Sequence, residues 1–447
     1  MRKHATVIFL MGFILLHLYP NPLLSANPRA EVTSFSLSNG LRVILSPVDN
    51  IEATCVLLYH LTGVRDDPPE IRGASYLYQN LMQLGTQNLD FLDRILFIKR
   101  NGGISNRVVN YDYSIFYQVI PESEINNTLW LESERISSLQ LTSKNINTEK
   151  NNVYTRNYRL IHSNVHVRAS DWVKSKLFAG TIYETPIYGN LEEIRGVNPL
   201  AIKKLYSNFR NLSNIIMVIC GKFNNKELRK SINKHFGELP PVRGAARNAK
   251  KSYTSLGPRT KFVHENWLVP NFSEFFFLYG IPGPAKFNLD HLYFDFIRCY
   301  LVDERISKLE EILNRERGLN VTISYEILDY FEASALIIKI TAKRRSILEY
   351  ARYYLNKKLE SLHKGTLSNA DIKMTKSLME IDFMKKMTTL ETRSSFLAES
   401  YHLSGEFNGE ENHLKRIRKI NTYDIYRIAK KYLEKNNRVN LNVYPKQ

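Results

Sequence analysis

Short apolar runs and longer amphipathic segments alternate along the chain from residue 31 onward. The Asn39-Gly40 pair, set between two apolar runs, predicts a tight hairpin. In the first half, the runs that predict strands cover residues 33–37, 41–46, 53–61, 104–110, 113–119 and 215–222. The segments with a three- and four-residue apolar period, which predict helices, cover residues 71–83, 89–100, 122–139, 143–161, 199–209 and 225–236.

The same order of elements returns in the second half. Strands are predicted over residues 261–267, 274–280, 321–328, 333–341 and 439–444. Helices are predicted over residues 289–299, 306–315, 346–365, 369–386, 389–403 and 422–435. This repetition predicts an α+β fold class with two tandem homologous domains, each a mostly antiparallel sheet packed with helices.

The domain boundaries follow from local composition. A basic stretch of low apolar content begins after Pro240-Pro241, as in exposed linkers. We therefore predict an N-terminal domain over residues 31–242, a linker over 243–260 and a C-terminal domain over 261–447.

The first 26 residues have the pattern of a secretory signal peptide. Arg2 and Lys3 precede an apolar run over residues 5–18, and Ser25-Ala26 offers a small-residue cleavage site. The sequence therefore predicts an exported protein, periplasmic or secreted, with residues 1–26 removed. An uncleaved N-terminal anchor is the alternative.

Composition and charge narrow the classes of function. The chain has 447 residues, 43% hydrophobic and 24% charged, which excludes a disordered tail or a disulfide-stapled miniprotein. Its formal charge of +18 favours anionic partners, but basic and acidic residues are interspersed and no block resembles a basic arm. We expect no nucleic-acid partner, and peripheral membrane association stays open.

Several motifs together resemble a known family. Gly63 begins a segment that leads through Asp66-Asp67 and Gly73 to Gly85, and further matches lie at residues 102–117, 130–136, 188–194 and 218–223. This set resembles the pitrilysin/insulinase superfamily of inverted-zincin metallopeptidases, and most closely its mitochondrial-processing-peptidase-like branch. The resemblance implies a two-domain half-shell and, in active members, a zinc cofactor.

The resemblance also locates the zinc motif, and here the sequence departs from it. Active members carry H-x-x-E-H, in which two histidines bind zinc and the glutamate acts on the attacking water. The matching positions are Tyr76, Gln79 and Asn80, while Glu149 keeps a supporting carboxylate and Arg156 replaces the third ligand. A cation about 4 Å from a dication costs roughly 8 kcal/mol at an effective dielectric near 20. We therefore predict no catalytic residue, no metal and no zinc cofactor.

A shift of alignment does not restore the motif, because no histidine lies between His60 and His162. His162 and His166 are four residues apart but lack the motif context. We interpret them as surface histidines, with a relocated metal site as the alternative.

Peptide binding is the function that the resemblance leaves in place. In the family, a substrate peptide adds to an exposed strand edge, so affinity comes from backbone hydrogen bonds. The resemblance assigns that edge to Asn106, Arg107, Val108, Val109 and Asn110, with Arg107 in place of a usually small residue. An ordinary sheet edge without a binding role is the alternative.

Arg317 is the remaining candidate for contact with the peptide. A tyrosine that accompanies this arginine in many relatives is Val321 here, with Tyr325 further along. An ion pair of Arg317 with Glu310 or Glu316 is therefore the alternative.

These residues predict a pseudo-peptidase. The expected function is that of a non-catalytic partner subunit, which helps an HxxEH-bearing homologous subunit to bind peptide substrates in a heterodimeric peptidase. A structural or scaffold protein of an envelope complex and an active metallopeptidase with unusual ligands are the alternatives.

Overall fold

The computed structural model describes residues 31–241, 257, 261–316, 318–407 and 409–446. The predicted signal peptide and nearly all of the predicted linker lie outside these residues. The boundaries predicted for the two domains therefore stay predictions.

A six-stranded sheet forms the framework of the first half. Its order is β1-β2-β6-β3-β5-β4, and only the β2–β6 pair is parallel. The central strand β6 is a continuous apolar run, buried along its whole length, as expected for a strand covered on both faces. The strands are β1 (Thr33–Ser36), β2 (Arg42–Pro47), β3 (Ala53–His60), β4 (Ile104–Val109), β5 (Ser114–Pro121) and β6 (Ile215–Gly221).

The second half contains a five-stranded sheet of the order β7-β11-β8-β10-β9. Only its β7–β11 pair is parallel, so order and direction repeat those of β2-β6-β3-β5-β4. The predicted α+β class with two tandem, mostly antiparallel units is thereby confirmed. The strands are β7 (Val263–Val269), β8 (Phe275–Gly283), β9 (Thr322–Asp329), β10 (Ser334–Ala342) and β11 (Val439–Pro445).

Helices surround the two sheets. In the described part of the chain, none has the length and apolar content needed to cross a bilayer. Those of the first half are α1 (Ala74–Leu81), α2 (Phe91–Arg100), α3 (Ile125–Ser137), α4 (Ser143–Ser163), α5 (Val165–Leu177), α6 (Leu191–Gly196), α7 (Pro199–Arg210) and α8 (Asn225–Ile232). Those of the second half are α9 (His291–Val302), α10 (Glu304–Ser307), α11 (Leu309–Glu311), α12 (Arg345–Lys364), α13 (Asn369–Thr388), α14 (Leu390–Ser404), α15 (Gly409–Lys419) and α16 (Thr422–Tyr432).

Two helices cross between the halves. Helix α5 of the first half packs on β8 and β11 of the second sheet, where Ala169 and Val173 are fully buried. Helix α14 of the second half packs on β6 and β3 of the first sheet through Leu397 and Ala398. Each sheet is therefore covered partly by the other half.

Candidate functional site on helix α1

Helix α1 carries the positions that match the zinc motif. It begins after Gly73, which has a φ of 95° and whose added Cβ would lie 2.6 Å from a backbone carbonyl oxygen. The carboxylate of Asp67 accepts hydrogen bonds from the backbone N–H groups of Gly73, at 2.8 Å, and Ser75, at 3.0 Å. Burial raises the pKa of Asp67 to about 7. These contacts fix a helix on which Tyr76 and Asn80, four residues apart, share one face.

Two arginines contact that face. Nη2 of Arg156, on α4, donates to the Tyr76 hydroxyl at 3.3 Å, and Nη2 of Arg107, on β4, donates to Oδ1 of Asn80 at 2.6 Å. Nδ2 of Asn80 donates to the backbone carbonyl of Tyr76 at 2.9 Å. The structure thus brings together three of the predicted motif residues and one predicted peptide-binding residue. We call Tyr76, Asn80, Arg107 and Arg156 the motif-face cluster.

Gln79 points away from this cluster into the core. Its side chain is fully buried, and Nε2 donates to the hydroxyl of Ser114, which itself donates to the backbone carbonyl of Thr62 at 2.8 Å. Within the described residues, Oε1 of Gln79 has no hydrogen-bond partner. A carboxamide does not ionise, so this position supplies no general base.

Glu149 lies two helical turns before Arg156 on α4. Its carboxylate accepts a hydrogen bond from Asn152 at 3.0 Å. Burial lowers the pKa of Arg107, and the nearby Tyr76 and Glu149 oppose that shift. Glu149 is therefore close enough to act electrostatically on the motif-face cluster.

The residues present do not fit zinc. Zinc in proteins takes imidazole nitrogen, thiolate sulfur or carboxylate oxygen. A guanidinium only donates hydrogen bonds, so Arg156 cannot act as a ligand, and Oδ1 of Asn80 already accepts from Arg107. The cluster thus offers a neutral phenol, an engaged amide and two positive charges.

A second polar cluster lies among buried residues of α3 and β5. Arg135 and Glu132, both almost fully buried, form an ion pair, and Gln118 donates to the same carboxylate. The guanidinium carbon of Arg135 lies 4.4 Å from the ring centre of Phe116. This pair was not predicted, although a Glu and an Arg three residues apart in the predicted helix 122–139 were a signal for it.

Arg94 on α2 adds a further buried cation. Only 3% of it is exposed, and Nη2 donates to Oε1 of Gln83 at 3.2 Å. Nε and Nη1 have no hydrogen-bond partner among the described residues. Burial is the largest cause of the lowered pKa values of Arg107 and Arg135, and the positive charge of Arg94 lowers both further. Arg94 was also missed, because a single arginine in an amphipathic helix usually faces solvent.

The predicted peptide-binding segment occupies an edge of the first sheet. Strand β4 is one of the two outermost strands of this sheet, and among the described strands it pairs only with β5. The side chains of Asn106 and Val108 are exposed, while those of Arg107, Val109 and Asn110 are partly buried. An outermost strand presents backbone N–H and C=O groups to which another strand can be added.

Arg317 lies outside the described residues, so its predicted role and the alternative ion pairs stay predictions. Close by, Val321 is buried and Glu310 accepts a hydrogen bond from the backbone N–H of Ile323 at 3.4 Å. Burial raises the pKa of Tyr325.

The two remaining histidines of interest lie on different helices. His162, on α4, is exposed and stacks on Tyr158 with ring centres 3.8 Å apart. His166, on α5, has Nε2 at 3.3 Å from the carboxylate of Glu274. The helix break at Asn164 means that the two do not share a helix face.

One grouping of potential metal ligands occurs elsewhere in the described residues. His291, Asp295 and Asp329 place ligand atoms within 4.8 Å of one another. Arg298 forms ion pairs with both carboxylates. Arg298 therefore already offsets part of the negative charge that would attract a cation.

Comparison with known proteins identifies the family. The family model for Insulinase (Peptidase family M16) matches residues 42–190, and that for the Peptidase M16 inactive domain matches residues 196–379. The chain belongs to this pitrilysin/insulinase-type peptidase family, which confirms the family resemblance. Its place in the mitochondrial-processing-peptidase-like branch stays a prediction.

Relatives and solved structures agree with this assignment. The zinc protease PqqE of Helicobacter pylori is 22% identical over 413 residues, which cover 90% of each chain. The crystal structure of a protease from Helicobacter pylori superposes with a TM-score of 0.82 at 20% identity, over 93% of this chain and 100% of that one. The periplasmic protease PqqL of Escherichia coli gives a TM-score of 0.73 at 16% identity, over 94% of this chain and 48% of that one. These likenesses establish the fold.

Proposed function

We propose that the chain is a catalytically inactive member of the family that binds peptides along strand β4 and acts with an HxxEH-bearing homologous subunit. The motif-face cluster carries this proposal. Arg156 and Arg107 donate hydrogen bonds to the two side chains at the histidine positions, Tyr76 and Asn80. Under this proposal, two guanidinium groups stand where an active member would hold a metal and its ligands.

A partner is expected from the architecture. Family members that cleave peptides enclose the substrate between two half-shells, and this chain provides one. The exposed edge β4 supports peptide binding without catalytic side chains. Export is proposed from the N-terminal signal pattern, and the periplasmic relative PqqL supports it.

Metal content and hydrolysis of the purified chain test the inactivity directly. We expect less than about 0.1 zinc per chain by mass spectrometry and no hydrolysis of a quenched-fluorescence peptide mixture. About one zinc per chain, together with hydrolysis that a chelator abolishes, would establish an active enzyme with unusual ligands.

A restored motif provides the matched comparison. We expect the variant Tyr76→His/Gln79→Glu/Asn80→His/Arg156→Glu to bind about one zinc. It has two imidazoles on one face of α1, at positions 76 and 80, and a carboxylate at position 156 of α4. The control variant keeps Arg156 and carries only the three changes on α1. It should bind zinc at least about 100-fold more weakly, because the guanidinium replaces a ligand with a repelling charge. Equal zinc binding by both variants would contradict the role assigned to Arg156.

Co-expression with an HxxEH-bearing homologue from the same genome tests the partnership. Peptide hydrolysis by the mixture should exceed that of the homologue alone by about tenfold or more, as expected when a second half-shell completes a binding chamber. A scaffold protein would instead co-purify with a larger envelope complex and leave hydrolysis unchanged.

A further inference from the structure

Positive charge exceeds negative charge around the motif-face cluster. Four arginines interact electrostatically there: Arg94, Arg107, Arg135 and Arg156. Among the described residues, Glu132 and Glu149 are the acidic groups that interact with these arginines. Glu132 is engaged by Arg135, and Glu149 accepts a hydrogen bond from Asn152. A net charge of about +2 therefore remains in a partly buried place, where solvent screens it less than at the surface.

The guanidinium groups retain donors for a ligand. Arg107 and Arg156 each donate through Nη2 to a neutral acceptor, an amide oxygen in one case and a phenol oxygen in the other. A guanidinium has five N–H donors, so neither contact uses up its capacity or cancels its charge. A carboxylate is the group that planar guanidinium donors recognise best among those a peptide carries.

Arg94 supplies an independent observation. It is 3% exposed, yet Nε and Nη1 have no hydrogen-bond partner among the described residues. Buried polar donors are almost always satisfied, so a buried guanidinium with two unpartnered nitrogens indicates a missing anionic or polar acceptor. The nearby charge of Arg107 connects this orphaned donor set with the motif-face cluster.

The location identifies the ligand as part of a peptide. Arg107 is a residue of the edge strand β4, and its side chain reaches the α1 face at Asn80. A peptide added to β4 would run past Arg107, and its side chains or its terminus would lie beside the two guanidinium groups.

We infer that the former metal site is a carboxylate subsite, in which Arg107 and Arg156 bind an acidic group of a peptide held on strand β4. The carboxylate is an Asp or Glu side chain, or the C-terminal carboxylate of the peptide. This inference rests on the proposed function, because it requires peptide binding at β4. It adds a preference for acidic peptides to a site that has lost its metal.

Fluorescence anisotropy with a matched peptide set tests the inference. One ten-residue labelled peptide is prepared with a central Glu or Gln, and each form carries either a free or an amidated C-terminus. The acidic forms should bind the full chain at least about tenfold more tightly than the doubly neutral form, equivalent to about 1.4 kcal/mol. The Glu/Gln and acid/amide pairs distinguish the two sources of the carboxylate.

Arginine variants locate the subsite. Arg156→Gln changes an exposed side chain and should abolish the preference for the acidic peptide while the neutral peptide binds as before. Arg107→Gln should have the same effect. Arg159→Gln removes an exposed charge from the same helix α4 and serves as the control, which should keep the full preference.

The outcomes separate this inference from the proposed function. Acidic and neutral peptides that bind equally well, or a preference that survives both arginine variants, would overturn the carboxylate subsite and leave peptide binding intact. Failure of every peptide to bind would overturn both.

Discussion

His60 is a neutral histidine at the end of β3, packed against aromatic rings. It is 1% exposed, and its ring centre lies 5.4 Å from that of Phe116 and 5.9 Å from that of Phe209. Burial, together with the charge of Arg135, lowers its pKa to about 3. A cation at this place would be desolvated and repelled, so protonation must be coupled to unfolding.

The expected consequence is a loss of stability in mild acid. Between pH 3 and 6.5 the unfolded chain binds a proton at His60 and the folded chain does not, so stability falls as the pH is lowered through that range. From pH 7.5 to 5.0 the contribution of His60 is about 2 kcal/mol. Urea unfolding at both pH values should show a pH-dependent loss about 2 kcal/mol smaller for His60→Gln than for wild type. The exposed control His162→Gln should match wild type.

The buried pair Glu132–Arg135 is a second determinant of stability. We expect Glu132→Gln to lower the free energy of unfolding by about 3 kcal/mol, because it leaves the guanidinium of Arg135 buried without a counter-charge. Glu193→Gln, at an exposed position, should change it by less than about 0.5 kcal/mol. Denaturant unfolding measures both, and equal effects would mean that Arg135 is solvated or otherwise neutralised.

At the scale of elements, helix α5 depends on close approach to β8. A Cβ built on Gly280 would lie 2.7 Å from Cγ1 of Val173 and 2.9 Å from Cδ1 of Leu177. The glycine in β8 therefore allows α5 to lie directly on the second sheet. A larger residue must push the helix away or force its side chains out of their rotamers.

Gly280→Ala should therefore lower the free energy of unfolding by about 1–3 kcal/mol. Combining it with Val173→Ala should cost at least about 0.5 kcal/mol less than the sum of the two single changes, because the smaller side chain makes room for the new methyl group. Gly196→Ala, where an added Cβ meets nothing within 4 Å, is the control. If the two losses in free energy of unfolding were strictly additive, contact with Val173 would not be the reason that residue 280 must be small.

The sequence predicted well those elements whose own residues show a clear pattern of apolar positions. All eleven strands of the described residues lie within a few residues of a predicted run, and the central ones, such as β6, are continuous apolar runs. Helices α5, α6 and α15 were not predicted. Helix α5 follows α4 after the single residue Asn164, whose side chain accepts from the backbone N–H groups of His166 and Val167. A one-residue break with an Asn cap is a weak sequence signal for the end of one helix and the start of the next. In addition, the apolar face of α5 is buried against the second sheet, which the local sequence does not reveal.

The site was also predictable only in part, because some of its contacts leave no pattern in the local sequence. The family resemblance, with positions counted along the chain, was enough to align Tyr76, Gln79 and Asn80 with the motif. The contacts of Arg107 and Arg94 depend on β4 and α2 and therefore on tertiary structure. Helix α1 itself begins at Ala74 rather than near residue 71, because the αL conformation of Gly73 and the carboxylate of Asp67 set its first turn.

At the scale of the molecule, the exchange of helices makes each half depend on the other. The face of the first sheet that includes Leu57 and Val218 is covered by Leu397 and Ala398 of α14. The face of the second sheet that includes Leu278 and Leu441 is covered by α5. A half alone would expose an apolar sheet face, which favours aggregation.

Expression of the two halves separately tests this dependence. Fragments 27–250 and 251–447 should each be insoluble or bind a hydrophobic dye, whereas co-expression should yield a soluble complex that unfolds in one cooperative step. Leu397→Asp should prevent the complex from forming, because it places a charge against the first sheet. Met384→Asp, at a position 49% exposed on α13, should leave the complex intact. A first half that folds alone with the same unfolding midpoint as the full chain would show that α14 contributes nothing to its stability.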